Sequence, residues 1–307
     1  MVFGKQRSMP DPFFYFKQKR SVYYDFFKIG HDAGYKMFLA NGLDCYQDGY
    51  TFVNTLLFDG TKFTPYNASM TADFIIDRSA SIIFPGAKMT KILNPINFKL
   101  FCASKINMHR LLADFMPKTF FIKNAIDLKN ICASINDDRL YVLKPSTGLG
   151  GKGIIFGTAT KIKHQKIEPY KEYVLQEFID TSCGAPHITD SRHDLRVVLL
   201  NDKVVWITVR VPKKGSLLAN VAQGGTIRDI TTETLPLCVI KTVAAVQEII
   251  AKNYDQPLLY SIDMGIENDR AYVFELNDQI GFPSENMPSH KNFIKNLVGT
   301  MSQFCSK

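Results

Sequence analysis

Three groups of residues in this sequence could do chemistry. The first is the run KPSTGLGGKG, Lys144 to Gly153. Its glycines Gly148, Gly150, Gly151 and Gly153, with the small hydroxyl residues Ser146 and Thr147, leave backbone amides free to approach an anion. Lys152 adds a positive charge. The run is followed by a strand-like segment, so it opens no helix as a Walker loop or a dinucleotide fingerprint would. A glycine-rich loop between two strands acts as a flap over phosphates; an ordinary glycine-rich hairpin is the plain alternative. The second group is Asp263 in LLYSIDMG with Glu275 and Asn277 in YVFELND. Residues two apart on a strand share a face, and Asp263 falls on the neighbouring strand of the expected hairpin. Two carboxylates and an amide are hard oxygen donors suited to Mg²⁺ held together with nucleotide phosphates. The third is Asp194 and Arg196 at a strand start, with Arg210 and Asn220 downstream. A strand arginine beside a phosphate site can neutralise charge on a transferred phosphoryl group; alone, Arg196 would read as a surface ion pair.

These residues need elements to hold them. The spacing of Met108, Leu111, Leu112, Phe115 and Met116 predicts a helix that Pro117 ends. YVLKP (141–145), GIIFG (153–157) and YVLQEFI (173–179) read as strands around the glycine-rich loop. The last third is strand-rich, with runs at 195–200, 203–211, 258–266 and 271–277. The turn-forming pairs Asn201-Asp202 and Asn268-Asp269 fold these runs into two antiparallel hairpins. Between them a helix is expected with Ile240, Val243, Ala244, Gln247 and Ile250 on its buried face, and a last helix carries Phe293, Leu297, Met301 and Phe304. Before Lys91, strand-like runs (FFYF near Phe13, FIID at 74–77) alternate with a helix from Val22 to Gly34, which suggests a small α/β layer. The class expected is α+β with an α/β N-terminal part.

Composition narrows the partners. The 307 residues are 46% hydrophobic and 21% charged, an ordinary globular balance. At roughly 100–200 residues per domain, more than one domain is expected. The net charge of +8 suits anionic partners such as nucleotide phosphates or an acidic peptide. No basic, aromatic-studded face or nucleic-acid motif stands out, so no nucleic-acid partner is expected. The six scattered cysteines, without a CxxC pair, read as reduced thiols of a cytoplasmic protein and not as zinc ligands. No run reaches the ~18 apolar residues of a membrane span, and no secretory leader is read at the N-terminus.

The ordered set KP…GGKG, QEF, HDLRVV, Arg210, Asn220, SIDMG and FELN, preceded by a lysine near a helix start, resembles the ATP-grasp carboxylate–amine ligases. It is most similar to the branch of glutathione synthetase and the ribosomal-protein glutamate ligases, from Asn94 to the C-terminus. The resemblance implies an ATP-grasp fold: an N-terminal domain at 1–91, a small subdomain with the flap at 92–172, and a large subdomain with the metal site at 173–307. Carried over residue by residue, Lys105 takes the place of the first nucleotide lysine, with Lys99 as the fallback, and Lys144 that of the second. Ser146, Gly148, Gly150, Gly151, Lys152 and Gly153 form the flap, Gln176, Glu177, Phe178 and Ile179 the adenine hinge, and Asp194 with Arg196 the strand start. Arg210 would stabilise the acyl-phosphate, and Asn220 would sit by the γ-phosphate. Asp263, Glu275 and Asn277 would hold Mg²⁺, or Mn²⁺ in its place. The implied reaction joins a carboxylate to an amine through an acyl-phosphate, releasing ADP and phosphate. An amino acid or acidic peptide is the substrate class, and a homo-oligomer is compatible with the resemblance. The loop Asp278–Pro283 departs from the family pattern on the acceptor side. Neither His193 nor His290 is better than a structural histidine as a general base. The alternative is an ATP-binding relative with a regulatory or scaffolding role and no ligase activity.

Overall fold

The structure, a computed structural model, describes residues 1–3, 11–79, 91–148, 152–217, 219 and 224–305. Five antiparallel strands form the largest sheet, in the order Thr226–Asp229, Lys203–Val211, Asp194–Leu200, Leu259–Glu267, Arg270–Asn277. Both expected hairpins are present. Asn201, Asn268 and Asp269 have φ of 57°, 51° and 58°, the left-handed region that Asn and Asp tolerate in tight turns.

The period-2 alternation of these strands decides what faces what. Leu195, Val197, Leu199, Ile207, Val209 and Ile262 pack on one side against the helix Leu237–Asn253 and against Phe98, Phe101, Met108 and Leu112. On the other side, Val198, Leu200, Trp206 and Leu259 join a second cluster with Phe293 and Leu297 of the helix His290–Met301. Arg196 shares the Val198 side, so the polar residues occupy one end of a face whose other end is core. The helix Leu237–Asn253 is rotated from expectation. It buries Val239, Thr242, Val243, Val246 and Ile250, whereas Ile240 is exposed. The Gln247 amide donates to the Asp202 carbonyl at 2.6 Å, which uses the polar flank of the helix to pin the first hairpin.

A smaller antiparallel sheet runs Thr119–Ile122, Tyr173–Glu177, Leu140–Pro145, Ile155–Thr158. Ile122, Tyr141, Leu143 and Leu175 pack against Leu128 and Cys132 of the helix Ala125–Ser134. That helix starts where it does because the Asn124 side chain accepts the Ile126 and Asp127 amides, both at 2.9 Å.

In the N-terminal region Val2–Phe3 pairs in parallel with Met37–Asn41, with the helix Arg20–Asp32 between them in the chain. Thr55–Phe58 and Phe63–Tyr66 extend the sheet antiparallel, and Ile75–Ile76 pairs in parallel with Ile92–Leu93. The strand expected near Phe13 is instead a 3₁₀ helix, Phe14–Lys19. The Asp11 carboxylate accepts the Phe13 amide at 3.0 Å and its carbonyl accepts that of Phe14 at 3.3 Å, which turns the chain. Phe13 is then fully buried, while Phe14 is exposed. Phe3, Phe13, Tyr23, Phe26 and Phe27 share one cluster with Trp206, Leu259, Phe282 and Phe293 of the C-terminal half. The N-terminal unit is thereby packed directly onto the large sheet.

Candidate active site

A cleft lies between the two antiparallel sheets. The small sheet side brings Lys144 and the flap residues Gly148 and Lys152; the large sheet brings Asp194, Arg210, Asp263 and Glu275; Glu177, Phe178 and Ile179 join them. Lys105 also lines it, as the first residue of the helix Lys105–Leu112. Ser104 caps that helix by accepting the Asn107 amide at 3.2 Å. The Lys105 amide donates to the Ser146 carbonyl at 2.9 Å, and its Nζ reaches the Gly148 carbonyl at 3.2 Å. Helix start and flap base are thus tied together. The fallback, Lys99, is elsewhere: it is 3% exposed and locked in an ion pair with the buried Asp77. An ammonium whose charge is already neutralised in the core is unavailable to a ligand.

Lys144 sits at the end of a short polar chain. Its Nζ donates to Gln176 Oε1 at 2.8 Å, and Gln176 Nε2 donates to Thr119 Oγ1 at 2.9 Å. Burial lowers the Lys144 ammonium to about 8, with the Lys105 charge adding to the shift and Glu275 opposing it. The flap requires glycine at two described positions. Gly148 has φ +126°, and Gly153, with φ +73°, lies so close to Pro145 that a Cβ would come within 3.1 Å of the proline ring. Ser146 is buried and lies off the cleft surface; its backbone serves as clasp, the carbonyl to Lys105 and the amide to the Glu172 carbonyl at 2.8 Å. Gly150, Gly151 and Asn220 lie outside the described residues.

At the hinge, the Glu177 and Phe178 amides are used inside the protein, on the Lys118 and Leu140 carbonyls at 2.9 Å each. Ile179 follows them at the rim. Phe178 is held edge-on to Phe156, with ring centroids 5.8 Å apart, and beneath the Arg192 guanidinium at 5.2 Å. Val142, Ile154, Phe156 and Phe274 complete an apolar wall at this end. The sequence reading missed that wall, since nothing distinguishes its residues from core. Their only signal is that they are strand neighbours of the polar motifs.

The large sheet contributes a four-charge network. Register pairs Asp194 with Arg210 and Arg196 with Asp263 across neighbouring strands. Arg196 grips Asp263 with two bonds, Nε to Oδ1 at 2.8 Å and Nη2 to Oδ2 at 2.6 Å. Arg210 Nη2 bridges Asp194 and Asp263, the latter at 2.7 Å. Burial alone would raise the Asp263 carboxyl, but the two guanidinium groups overcome it and hold Asp263 well below the usual carboxylate range. Burial pushes Asp194 up to about 6 despite Arg210, and the Asp263 charge adds to the rise. The pair therefore divides, with Asp263 ionised and Asp194 the carboxyl that takes a proton first. Asp194 Oδ1 and Arg210 Nε are buried without a hydrogen-bond partner. Such orphaned atoms facing a cleft are poised for a ligand.

Asp263 and Glu275 are register partners, and Asn277 Nδ2 lies 3.2 Å from a carboxylate oxygen of each. A bulge between Asp263 and Met264 turns this end of the strand. The trio converges as expected, and its donor set fits Mg²⁺: two carboxylates and an amide, with Asn277 able to present its oxygen by an amide flip. Among the described residues no three His, Cys, Asp or Glu side chains are grouped so as to hold a metal ion by themselves. His193 is buried, its Nδ1 facing the Ser191 carbonyl at 3.3 Å and its Nε2 accepting the Ile266 amide at 3.3 Å. His290 bridges the Pro283 carbonyl and Asp25. Both act as structural histidines.

Residues 104–248 match the family model described as prokaryotic glutathione synthetase, ATP-grasp domain. A probable alpha-L-glutamate ligase of Trichodesmium erythraeum (strain IMS101) is 23% identical over 219 residues, 66% of this chain and 68% of that protein. A second protein of that description, from Shewanella halifaxensis (strain HAW-EB4), is 29% identical over 114 residues, covering 36% of this chain and 23% of its own length. The crystal structure of a RimK domain protein ATP-grasp from Sphaerobacter thermophilus DSM 20745 superposes with a TM-score of 0.56 at 14% identity, across 100% of this chain and 98% of that one. The chain thus has an ATP-grasp fold, and over residues 104–248 it is similar to the ATP-grasp domain of the glutathione synthetase type.

Proposed function

We propose that this protein is an ATP-dependent ligase joining the carboxylate of an amino acid or acidic peptide to an amine, through an acyl-phosphate and with release of ADP and phosphate. The observation that carries the proposal is the opposition, across one cleft, of Lys105 and Lys144 on one side and the Arg210, Asp263, Glu275 and Asn277 array on the other. Adenine fits the apolar wall of Val142, Ile154, Phe156 and Phe274, with its edge toward Ile179. Lys105 and Lys144 neutralise the phosphates, and the flap covers them and excludes water that would hydrolyse an acyl-phosphate. Asp263, Glu275 and Asn277 would hold Mg²⁺ or Mn²⁺, which when bound screens the charge between carboxylate and phosphates. Arg210, fixed by Asp194 and Asp263, faces the reacting group and stabilises the charge that spreads over it. The substrate carboxylate attacks the γ-phosphorus, and the amine then displaces phosphate from the acyl carbon. The relatives described as probable alpha-L-glutamate ligases, and the net charge of +8, support glutamate or an acidic peptide as a reactant. The test is product analysis with Mg-ATP and pools of amino acids and acidic peptides. Substrate-dependent ADP and phosphate with a new amide mass, lost in Glu275→Ala, is the expected result. AMP with pyrophosphate would refute the acyl-phosphate route.

A further inference from the structure

The N-terminal unit places two cations against the loop that departs from the family pattern, which follows the strand bearing Glu275 and Asn277. We infer that Lys19 and Arg78 form an anion site that takes a second carboxylate of the substrate, distinct from the one that is activated. Which carboxylate is activated rests on the ligase reading above; the anion site itself does not. Lys19 ends the 3₁₀ helix Phe14–Lys19, and its ammonium lies where a side chain on Gly281 would begin, so that a Cβ there would collide with Lys19 Nζ. Arg78 donates from Nη2 to the neighbouring Ile280 carbonyl at 2.7 Å and lies 5.3 Å over the Phe282 ring, while its Nε is buried without a partner.

Local charges do not cancel here. Arg196 and Arg210 are matched by Asp263 and Asp194, and Lys99 by Asp77. Among the described residues, Lys19 and Arg78 have no such ion-pair partner, and the Asp278 carboxylate near Arg78 accepts from Gln279 Nε2 at 2.8 Å. The Lys19 ammonium is lowered by burial, then by the charges of Arg78 and Arg196. Crowded, partly buried cations with an unsatisfied N–H gain from an anion between them. Arg196 links this place to the reaction, because it is bound to Asp263 in the cleft wall. A substrate whose reacting carboxylate sits beside Arg210 would extend its far carboxylate toward Lys19 and Arg78.

The test uses the full chain with glutarate, a plain dicarboxylate, and glutaramate, its mono-amide, in calorimetric titrations with and without saturating Mg-AMP-PNP. Glutarate is expected to bind wild-type protein at least about tenfold more tightly than glutaramate, the size of one charge-assisted hydrogen bond. Lys19→Met should erase that preference and Lys19→Arg should restore it. Gly281→Ala should weaken glutarate binding without removing any charge, because its methyl displaces a flexible ammonium rather than backbone. AMP-PNP affinity should be unchanged in all three. Equal binding of glutarate and glutaramate, absence of glutarate binding, or wild-type glutarate affinity in both Lys19→Met and Gly281→Ala would each overturn the anion site. Failure of AMP-PNP to bind wild-type protein would instead bring down the ligase reading, and the nucleotide-free arm would still decide the anion site.

Discussion

Nucleotide binding should be coupled to proton uptake by one residue, Lys144. With its ammonium lowered to about 8 by burial and the nearby Lys105, the free protein carries this lysine about half charged at pH 8. A triphosphate laid against it favours the charged form and restores the lysine's proton. Binding at pH 8 should therefore take up about half a proton at this site, and affinity should fall about tenfold between pH 7 and pH 9 as the charged fraction drops from about nine-tenths to one-tenth. The sign follows from the direction of the shift: a depressed lysine must be recharged by its ligand, so higher pH costs affinity. Calorimetric titration of AMP-PNP at pH 8 in two buffers of different ionisation enthalpy measures the uptake, and the same titrations at pH 7 and pH 9 measure the affinity. Lys144→Met isolates the residue from protons taken up by the nucleotide itself. Identical heats in the two buffers for wild-type protein, or an undiminished pH dependence in Lys144→Met, would refute the placement of Lys144 against the phosphates.

Three further outcomes are expected. Lys105→Met should weaken AMP-PNP binding at least about tenfold. Lys99→Met should leave that affinity intact but lower stability by about 3–5 kcal/mol in denaturant unfolding, because it strands the buried Asp77; the reverse pattern would make Lys99 the nucleotide lysine. Asp194, raised to about 6, binds its proton more tightly in the folded state than in the unfolded chain, so stability should fall as pH rises from about 4 to 6. Asp194→Asn should flatten that slope in unfolding midpoints across the window, and an unchanged slope would assign the titration to another group. Glu275→Gln should cut metal-dependent product formation at least about 100-fold while metal-free nucleotide binding persists; retained turnover would remove Glu275 from the metal site.

Four of the five strands of the large sheet were legible because their apolar runs flank the turn pairs Asn201-Asp202 and Asn268-Asp269, two local signals that agree, whereas the edge strand Thr226–Asp229 carries neither signal. The same pattern put Glu275 and Asn277 on one face beside Asp263, whereas the joining of Asp194, Arg196 and Arg210 to Asp263 depends on strand register that local sequence does not carry. Near Phe13 local signals failed. Aromatic density suggests a strand, but the Asp11-Pro12 turn sets a period of three, and only the packing of Phe13 against Tyr23 and Phe63 shows why. The Leu237–Asn253 helix was placed correctly and rotated wrongly. Its stripe of apolar residues is wide, and the polar choice of Gln247 for the Asp202 carbonyl settles its facing.

The acceptor side was hidden for a more basic reason. A nucleotide is large, highly charged and held mainly by contiguous motifs, so its site leaves traces at fixed spacing in one stretch of chain. A second carboxylate needs only two cations, and these come from Lys19 and Arg78, which are far apart in sequence and belong to separate segments. What brings them together is the aromatic cluster that seats the N-terminal unit on the large sheet, in which Tyr23 and Phe26 pack on Phe282. Substitutions in that cluster, though distant from any phosphate, should therefore act on substrate choice before they act on nucleotide affinity. Phe282→Leu would remove the ring beneath Arg78 while keeping an apolar side chain in the core. It should weaken glutarate binding by several-fold and leave AMP-PNP affinity as in wild type. Equal losses in both titrations would mean that the two ends of the cleft move as one body, and that the N-terminal unit positions the nucleotide as well.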